Sequence, residues 1–286
     1  MIDYERLLRL EIPVVEQSYC EKDAMLYALG VGVGADPGDL HALPFVYEKR
    51  LKVLPTIAVV LAQPGLWPRD LDTGIDYVHV LHGEQRLTVH RPFPAAGTMV
   101  GRTRVVDVID KGPGRGALLV SERVITDKAT GARMATVGHT AFCRADGGFG
   151  GPARASSPLN SLPDRPPDLT CRGPTTLQAA LIYRLSADHN PLHVDPAVAQ
   201  AAGFERPILH GLSTFGAAGY ALLKSLCGGD PSRFGRMDCR FTAPAFPGDT
   251  FATEMWVEGR AATFRTRAVE RGVVVISNGH FEFASA

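Results

Sequence analysis

Gly211-Leu212-Ser213-Thr214-Phe215-Gly216-Ala217-Ala218-Gly219-Tyr220-Ala221-Leu222-Leu223 is apolar or small on every side. A helix of that composition has no face for water and belongs inside the protein. Gly216 and Gly219 each cost up to about 1 kcal/mol of helix propensity. That cost makes sense if the helix must lie against a neighbour too close to admit a side chain. Downstream come β-branched and aromatic runs punctuated by Gly and Pro: Phe251 to Val257, Ala262 to Thr266 and Val273 to Ile276. Strands grouped after helices predict an α+β fold with an antiparallel sheet. The geometry expected is a buried helix wrapped by a curved sheet.

Upstream, the same order of features occurs once more. An apolar helical stretch around Tyr27 matches one around Tyr183, and Pro55-Thr56-Ile57 matches Ser213-Thr214-Phe215 at a nearly constant offset. Pro92-Phe93-Pro94 resembles Ala245-Phe246-Pro247, and Gly138-His139 matches Gly279-His280 near the end of each half. First-half strands are expected around Leu87 to Val89, Arg102 to Val106, Ala117 to Val120 and Ala135 to Val137. A repeat this long means duplicated domains. Between the copies the composition turns rich in Gly, Pro and Ser, including Gly147-Gly148-Phe149-Gly150-Gly151-Pro152 and Arg165-Pro166-Pro167. The expected organisation is a first half over 1–146, a linker over 147–173 and a second half over 174–286.

Tyr183-Arg184-Leu185-Ser186-Ala187-Asp188-His189-Asn190-Pro191-Leu192-His193 opens the second half. It sets Asp188 and His193 on either side of an Asn-Pro step. On a regular helix these two groups would point roughly 140° apart. Pro191 lacks an N–H and drives Asn190 out of helical geometry, so the chain must bend. The bend can aim a carboxylate and an imidazole at one water and move protons both ways. Read alone, Asp188 is also a common turn or cap residue, and Asn190 reads as a local hydrogen-bonding post. Gly211 stands where the buried helix should begin. The first N–H groups there lack intrahelical partners and carry the positive end of the helix dipole.

These residues resemble the hydratase-2 motif of the MaoC-like dehydratases, and Pro207-Ile208-Leu209-His210-Gly211-Leu212 extends the likeness. That family commonly has Gly where this chain has Ala187. The first half resembles the non-catalytic half of the double-hot-dog enzymes through Tyr27 to Gly32, Val53-Leu54-Pro55-Thr56 and Val80-Leu81-His82-Gly83-Glu84-Gln85. The resemblance implies two hot-dog units, each a central helix wrapped by a curved antiparallel sheet. It implies an (R)-specific 2-enoyl-CoA hydratase, a hydro-lyase that also runs as a 3-hydroxyacyl-CoA dehydratase. Asp188, His193 and Gly211 would be catalytic. His82, Gly83, Lys111, Asn190 and Phe241 would line the acyl-CoA site, with Lys111 serving the CoA moiety. In the first half the positions of Asp188 and His193 fall on Gly32 and Pro37, so one site per chain is expected. The resemblance also suggests a homodimer. An acyl-CoA thioesterase and a non-catalytic acyl-CoA binder are the competing readings, because one fold hosts several functions.

Composition narrows the classes. The chain has 286 residues, 45% hydrophobic and 21% charged, with zero formal net charge. That balance argues against a nucleic-acid or anionic-membrane partner. No apolar run reaches membrane-spanning length. Met1 to Arg6 lacks an apolar signal core, and the last residues carry no peroxisomal address, so a cytoplasmic location is expected. The five cysteines form no C-x-x-C pair and read as buried reduced thiols. His189 and His193 have metal-pair spacing, but Pro191 breaks the helix that would align them; neither metal nor cofactor is expected. Gly30 to Ala35 fits a dinucleotide fingerprint formally, yet follows a helix rather than a strand, and reads as a loop.

Overall fold

The computed structural model describes residues 1–151, 160–186 and 188–284. Ten strands form one antiparallel sheet: β1 (Val15–Tyr19), β2 (Val80–Val89), β3 (Gly97–Asp110), β4 (Ala117–Asp127), β5 (Arg133–Cys143), β6 (Leu169–Pro174), β7 (Phe234–Phe241), β8 (Thr250–Glu258), β9 (Ala261–Ala268) and β10 (Val273–Phe283). Their order across the sheet is β1-β3-β4-β5-β2-β7-β10-β9-β8-β6. Read from each outer edge inward, both halves follow the same order, and they join where β2 pairs with β7. The duplication seen in the sequence is therefore a duplication of topology. The strands alternate buried and half-buried residues, most clearly in β4 and β9, as a sheet with one face on a core requires.

The join is charged as well as hydrogen-bonded. Glu84 on β2 lies directly opposite Arg240 on β7. Its buried carboxylate accepts from Arg240 at 2.8 Å and from Arg86 at 2.9 Å. One core runs through both halves, from Tyr27 and Ile57 to Phe215, Met237 and Phe281. Tyr27 and Tyr183, matched by the repeat, meet with ring centroids 6.0 Å apart.

The helix expected from Gly211 spans Gly211–Cys227 and ends on Gly228 in the left-handed conformation. Ser213, Thr214, Phe215, Gly216, Ala218 and Gly219 are all buried. A Cβ on Gly219 would come within 2.5 Å of the Thr56 side chain, and one on Gly216 within 2.5 Å of Val31. The tight neighbours belong mainly to the first half. Ser213 Oγ donates to the Gly30 carbonyl at 3.0 Å, and Tyr220 donates to Asp39 at 2.8 Å. The helix of one half is thus seated by loops of the other.

The first half differs from its copy at its centre. In place of a long central helix it has a single 3₁₀ turn, Pro55–Val59. Ile57, Val59 and Val60 are β-branched and Pro64 follows, so the sequence resists a longer helix. Ala62, at φ 49, ends the segment. Its carbonyl approaches within 2.2 Å of where a Cβ on Gly101 would sit, so only glycine fits there.

Leu169–Pro174, inside the stretch read as linker, pairs with β8 as an edge strand. Cys143, Cys227 and Cys239 are buried free thiols, but Cys171 is half-buried and Cys20 is exposed just before the helix Glu21–Gly30. The expectation that all five are buried is corrected for these two, which sit at a strand edge and a helix start. Gly30 ends the helix Glu21–Gly30, Val31 to Ala35 is a loop of turns with Gly32 and Gly34 at positive φ, and no helix opens after it as a dinucleotide site requires.

Candidate active site

The Asn-Pro step bends the chain as its residues demand. Asn190 takes φ −56 and ψ 121, and Pro191–His193 forms one 3₁₀ turn. Asn190 Oδ1 accepts the Leu192 N–H at 3.1 Å, and Asp188 Oδ1 accepts the Asn190 N–H at 3.1 Å. Both are Asx-type bonds that favour a turn over a helix. The result brings Asp188, His193 and His210 together, with one ligand atom of each within 4.8 Å of the others. Ala187 lies outside the described residues.

His193 is buried, and its Nδ1 donates to the Ile208 carbonyl at 2.9 Å. That bond places the ring proton on Nδ1 and leaves Nε2 as a lone-pair acceptor. His210 stacks on His193 at 3.8 Å between centroids. Its Nε2 donates to the backbone carbonyl of Asp188 at 3.2 Å. It thereby fixes the Asp188 main chain from the N-cap position of the Gly211–Cys227 helix. Burial pushes His193 below the ordinary histidine value, although the Ile208 bond and the Asp188 charge pull the other way. Burial, then the neighbouring His193, holds His210 down to about 4. Distance alone would let the three side chains hold a cation. His193 Nδ1 and His210 Nε2 bond to carbonyls, which leaves one nitrogen on each, the number a ligand needs.

The helix start behaves as its position requires. The N–H groups of Ser213 and Thr214 bond to the His210 carbonyl, while those of Gly211 and Leu212 have no partner among the described residues. Phe241, at the end of β7, packs against Gly211: a Cβ there would touch its ring at 3.5 Å.

These groups share a cavity of about 530 Å³, within the usual range for small-molecule sites. Asp188, Asn190, His193, Gly211, Phe241 and His82 all line it. It extends from the second half into the first, along Val59, Gln63 to Pro68, and the inner face of β3 to β5. His82 packs edge-on to His139 at 4.2 Å and Phe241 at 4.7 Å. Its Nε2 is buried without a partner, and burial, with His139 close by, holds it well below the ordinary value.

Two expected residues stand elsewhere. Gly83 is the extra residue of a β-bulge between His82 and Glu84. The bulge turns Glu84 toward Arg240 and leaves His82 and Gln85 both on the cavity wall. A Cβ on Gly83 would press the Thr140 carbonyl at 3.2 Å. Lys111 is exposed at the β3–β4 hairpin, its amine 5.3 Å from the Phe142 ring, and does not line the cavity. The sequence reading missed Gln85, Thr103, Ser121, Arg123 and His139 on the first-half wall. Strand alternation could have found them, since Ser121 and Arg123 occupy inward positions of β4 between Leu119 and Ile125.

A sheet duplicated in this way, with a buried helix whose unpartnered first N–H groups share a cavity with an Asp/His turn, defines a double-hot-dog protein. The comparisons agree. Residues 158–279 match the MaoC like domain and residues 17–145 the MFE-2 hydratase 2 N-terminal domain. The chain belongs to the MaoC-like, hydratase 2 family. It is 38% identical over 287 residues to the peroxisomal multifunctional enzyme type 2 of Mus musculus, covering 96% of this chain and 38% of that protein. It therefore spans well under half of that relative. It is 40% identical over 278 residues to 3-hydroxyacyl-thioester dehydratase Y of Mycobacterium tuberculosis, covering 93% of both. A crystal structure of a MaoC-like dehydratase from Phytophthora capsici superposes with a TM-score of 0.87 at 33% identity, covering 99% of each chain.

Proposed function

We propose that the protein adds water reversibly to trans-2-enoyl-CoA thioesters, giving (3R)-3-hydroxyacyl-CoA. The observation that carries this is the convergence of the Asp188 carboxylate and the His193 imidazole beside the free N–H groups of the Gly211 helix start, on one cavity. Hydration needs a base for the water and a donor for the enolate oxygen. His193 Nε2, left as a lone pair by the Ile208 bond, takes the water proton as oxygen attacks C3. Asp188 orients the water and offsets the imidazolium charge, and the pair returns one proton to C2. The Gly211 N–H faces the thioester oxygen, where such a donor is worth roughly 2.7–4 kcal/mol. Glycine there lets the thioester approach the backbone closely. Asn190 shapes the turn, and His82 and Phe241 flank the acyl group. Gly83 acts through the bulge that aims His82. Lys111 is assigned to the CoA portion outside the cavity.

Two relatives are named for this chemistry in its two directions, enoyl-CoA hydratase 2 of Arabidopsis thaliana and 3-hydroxyacyl-thioester dehydratase Y of Mycobacterium tuberculosis. An assay of enoyl-thioester absorbance with a parallel thiol assay tests the proposal. Absorbance should fall without thiol release, and chiral analysis should return the (3R) product. Thiol release would favour a thioesterase, and tight binding with neither change a binding module.

Among the described residues no helix is long and apolar enough to cross a membrane. We assign the protein to the cytoplasm, a reducing setting that its unpaired cysteines suit, although some relatives are peroxisomal by name. A homodimer is the assembly the family likeness suggests; light scattering on the purified chain checks it.

A further inference from the structure

The first-half wall of the cavity carries a charge that the chemistry above does not use. Arg123 lies on the inner face of β4, is 8% exposed and lines the cavity. Its Nη2 donates to the carbonyls of Ala58 and Val59 at 3.1 and 2.8 Å, capping the 3₁₀ turn Pro55–Val59. Capping occupies one nitrogen of three. Nε is buried without a partner, and Nη1 has none among the described residues. No carboxylate is ion-paired with it among the described residues, and burial alone pulls its pKa down to about 10, which still leaves it a cation at neutral pH. A buried charge without a counter-charge is costly.

Its surroundings are polar where the strand pattern would place apolar groups. Thr103, directly opposite on β3, also lines the cavity and has a buried hydroxyl with no partner. Ser121 is two residues away on the same face of β4, and His139 stands on β5. Burial, with the Arg123 charge beside it, holds His139 at about 4, so it adds no second positive charge at neutral pH. The hairpin β8–β9 of the second half also buries a facing polar pair, but there Thr253 and Thr266 satisfy each other at 3.0 Å. The first-half group has no such internal pairing: Arg123 Nε and the Thr103 hydroxyl are shielded from solvent and unpartnered, while the two residues line the cavity with Ser121.

We infer that Arg123, with Thr103 and Ser121, forms a subsite for a carboxylate at the far end of the acyl chain, so that the enzyme accepts enoyl-CoA substrates with an acidic terminus. This rests on the enoyl-CoA reading of the Asp188/His193 site. A guanidinium whose Nη1 is neither bonded among the described residues nor buried away suits a carboxylate, and the Ser121 hydroxyl beside it can add a neutral donor, with Thr103 directly opposite on β3.

The test compares trans-2-enoyl-CoA substrates ending in methyl with those ending in carboxylate over a series of matched chain lengths. Saturated acyl-CoA pairs of the same kind are measured by calorimetric binding to the intact protein. At the length that spans the cavity, the carboxylate member should win by about 10- to 100-fold in kcat/KM and in affinity, the worth of a charge-assisted hydrogen bond. Arg123→Met should bring that ratio to about one or below, and Arg123→Lys should keep part of it. A preference for methyl at every length in the wild-type protein overturns the subsite, as does a carboxylate preference that survives Arg123→Met. If Arg123→Met does not fold, Thr103→Val and Ser121→Ala take its place, each lowering the ratio. Hydration of the methyl series without any carboxylate preference ends the subsite and leaves the hydratase standing. Tighter carboxylate binding without turnover of either series does the reverse.

Discussion

In the proposed mechanism His193 is set as a base by one bond, the donation of its Nδ1 proton to the Ile208 carbonyl. Removing the imidazole or the Asp188 charge removes half of the water's support. Asp188→Asn and His193→Gln should each lower kcat by about 10²- to 10⁴-fold, the usual worth of a positioned acid or base. Circular dichroism should show both variants folded, and turnover within a few-fold of wild type in either would dismiss the assignment. Because burial depresses the His193 pKa, its neutral form persists as pH falls below the ordinary histidine range. The acid limb of kcat/KM should therefore lie below pH 6.5. Stability follows the same sign with larger amplitude. Burial holds His139 and His210 at about 4, against 6.5 for an ordinary histidine. Between those values the unfolded chain binds protons that the native one refuses. Stability is thus complete above pH 6.5 and lost as pH falls toward 4, by up to about 1.4 kcal/mol per pH unit for each histidine. Urea midpoints measured across that window should show the slope, and His139→Phe should flatten it. An unchanged slope would mean that His139 is charged in the native state.

At the scale of elements, the Gly211–Cys227 helix was legible because its glycines and alanines contradict any amphipathic pattern, and a contradiction of that kind reports burial. What it packs against was less legible. Gly219 meets Thr56 and Met237, and Gly216 meets Val31 and Tyr27, so the small residues answer mainly to the first half. Gly219→Ala should destabilise the protein by about 1–3 kcal/mol through overpacking, more than the roughly 1 kcal/mol it gains in helix propensity. A higher melting temperature in that variant would show that the contact relaxes freely. The short turn Pro55–Val59 was hidden because the repeat suggested a helix at Thr56, while the β-branched run and Pro64 that oppose one act locally. Strands β1 and β6 escaped notice because edge strands carry polar residues on both faces, as Glu16, Gln17 and Arg172 do. The Asp188–His193 turn was readable because Asn-Pro acts on its own backbone. Alternation along β4 marks Ser121 and Arg123 as inward, but their meeting with Thr103 and His139 was not readable, because it depends on the pairing of three strands.

For the whole molecule, the repeat would suggest two units able to stand apart, and the packing contradicts that. The β2–β7 seam makes one sheet of two, with Glu84 and Arg240 paired across it. The central helix of the second half is held by Gly30 and Asp39 of the first, and Lys224 reaches Asp39 at 2.9 Å. The main core cluster draws side chains from both halves. A structure tied in this way should unfold as one cooperative unit despite its length. The chain carries its own reporters: Trp67 is 7% exposed in the first half, and Trp256 is 2% exposed in the second, with its indole N–H on the Arg165 carbonyl at 2.7 Å. In Trp67→Phe and Trp256→Phe, each retaining one tryptophan, fluorescence should follow urea unfolding with midpoints that agree once each variant's own circular dichroism transition is taken into account. If each tryptophan instead tracked a transition separate from the circular dichroism, the halves would be independent. The cavity that bridges them would then lose one of its two walls in the earlier transition, and activity would disappear with whichever tryptophan signal changed first.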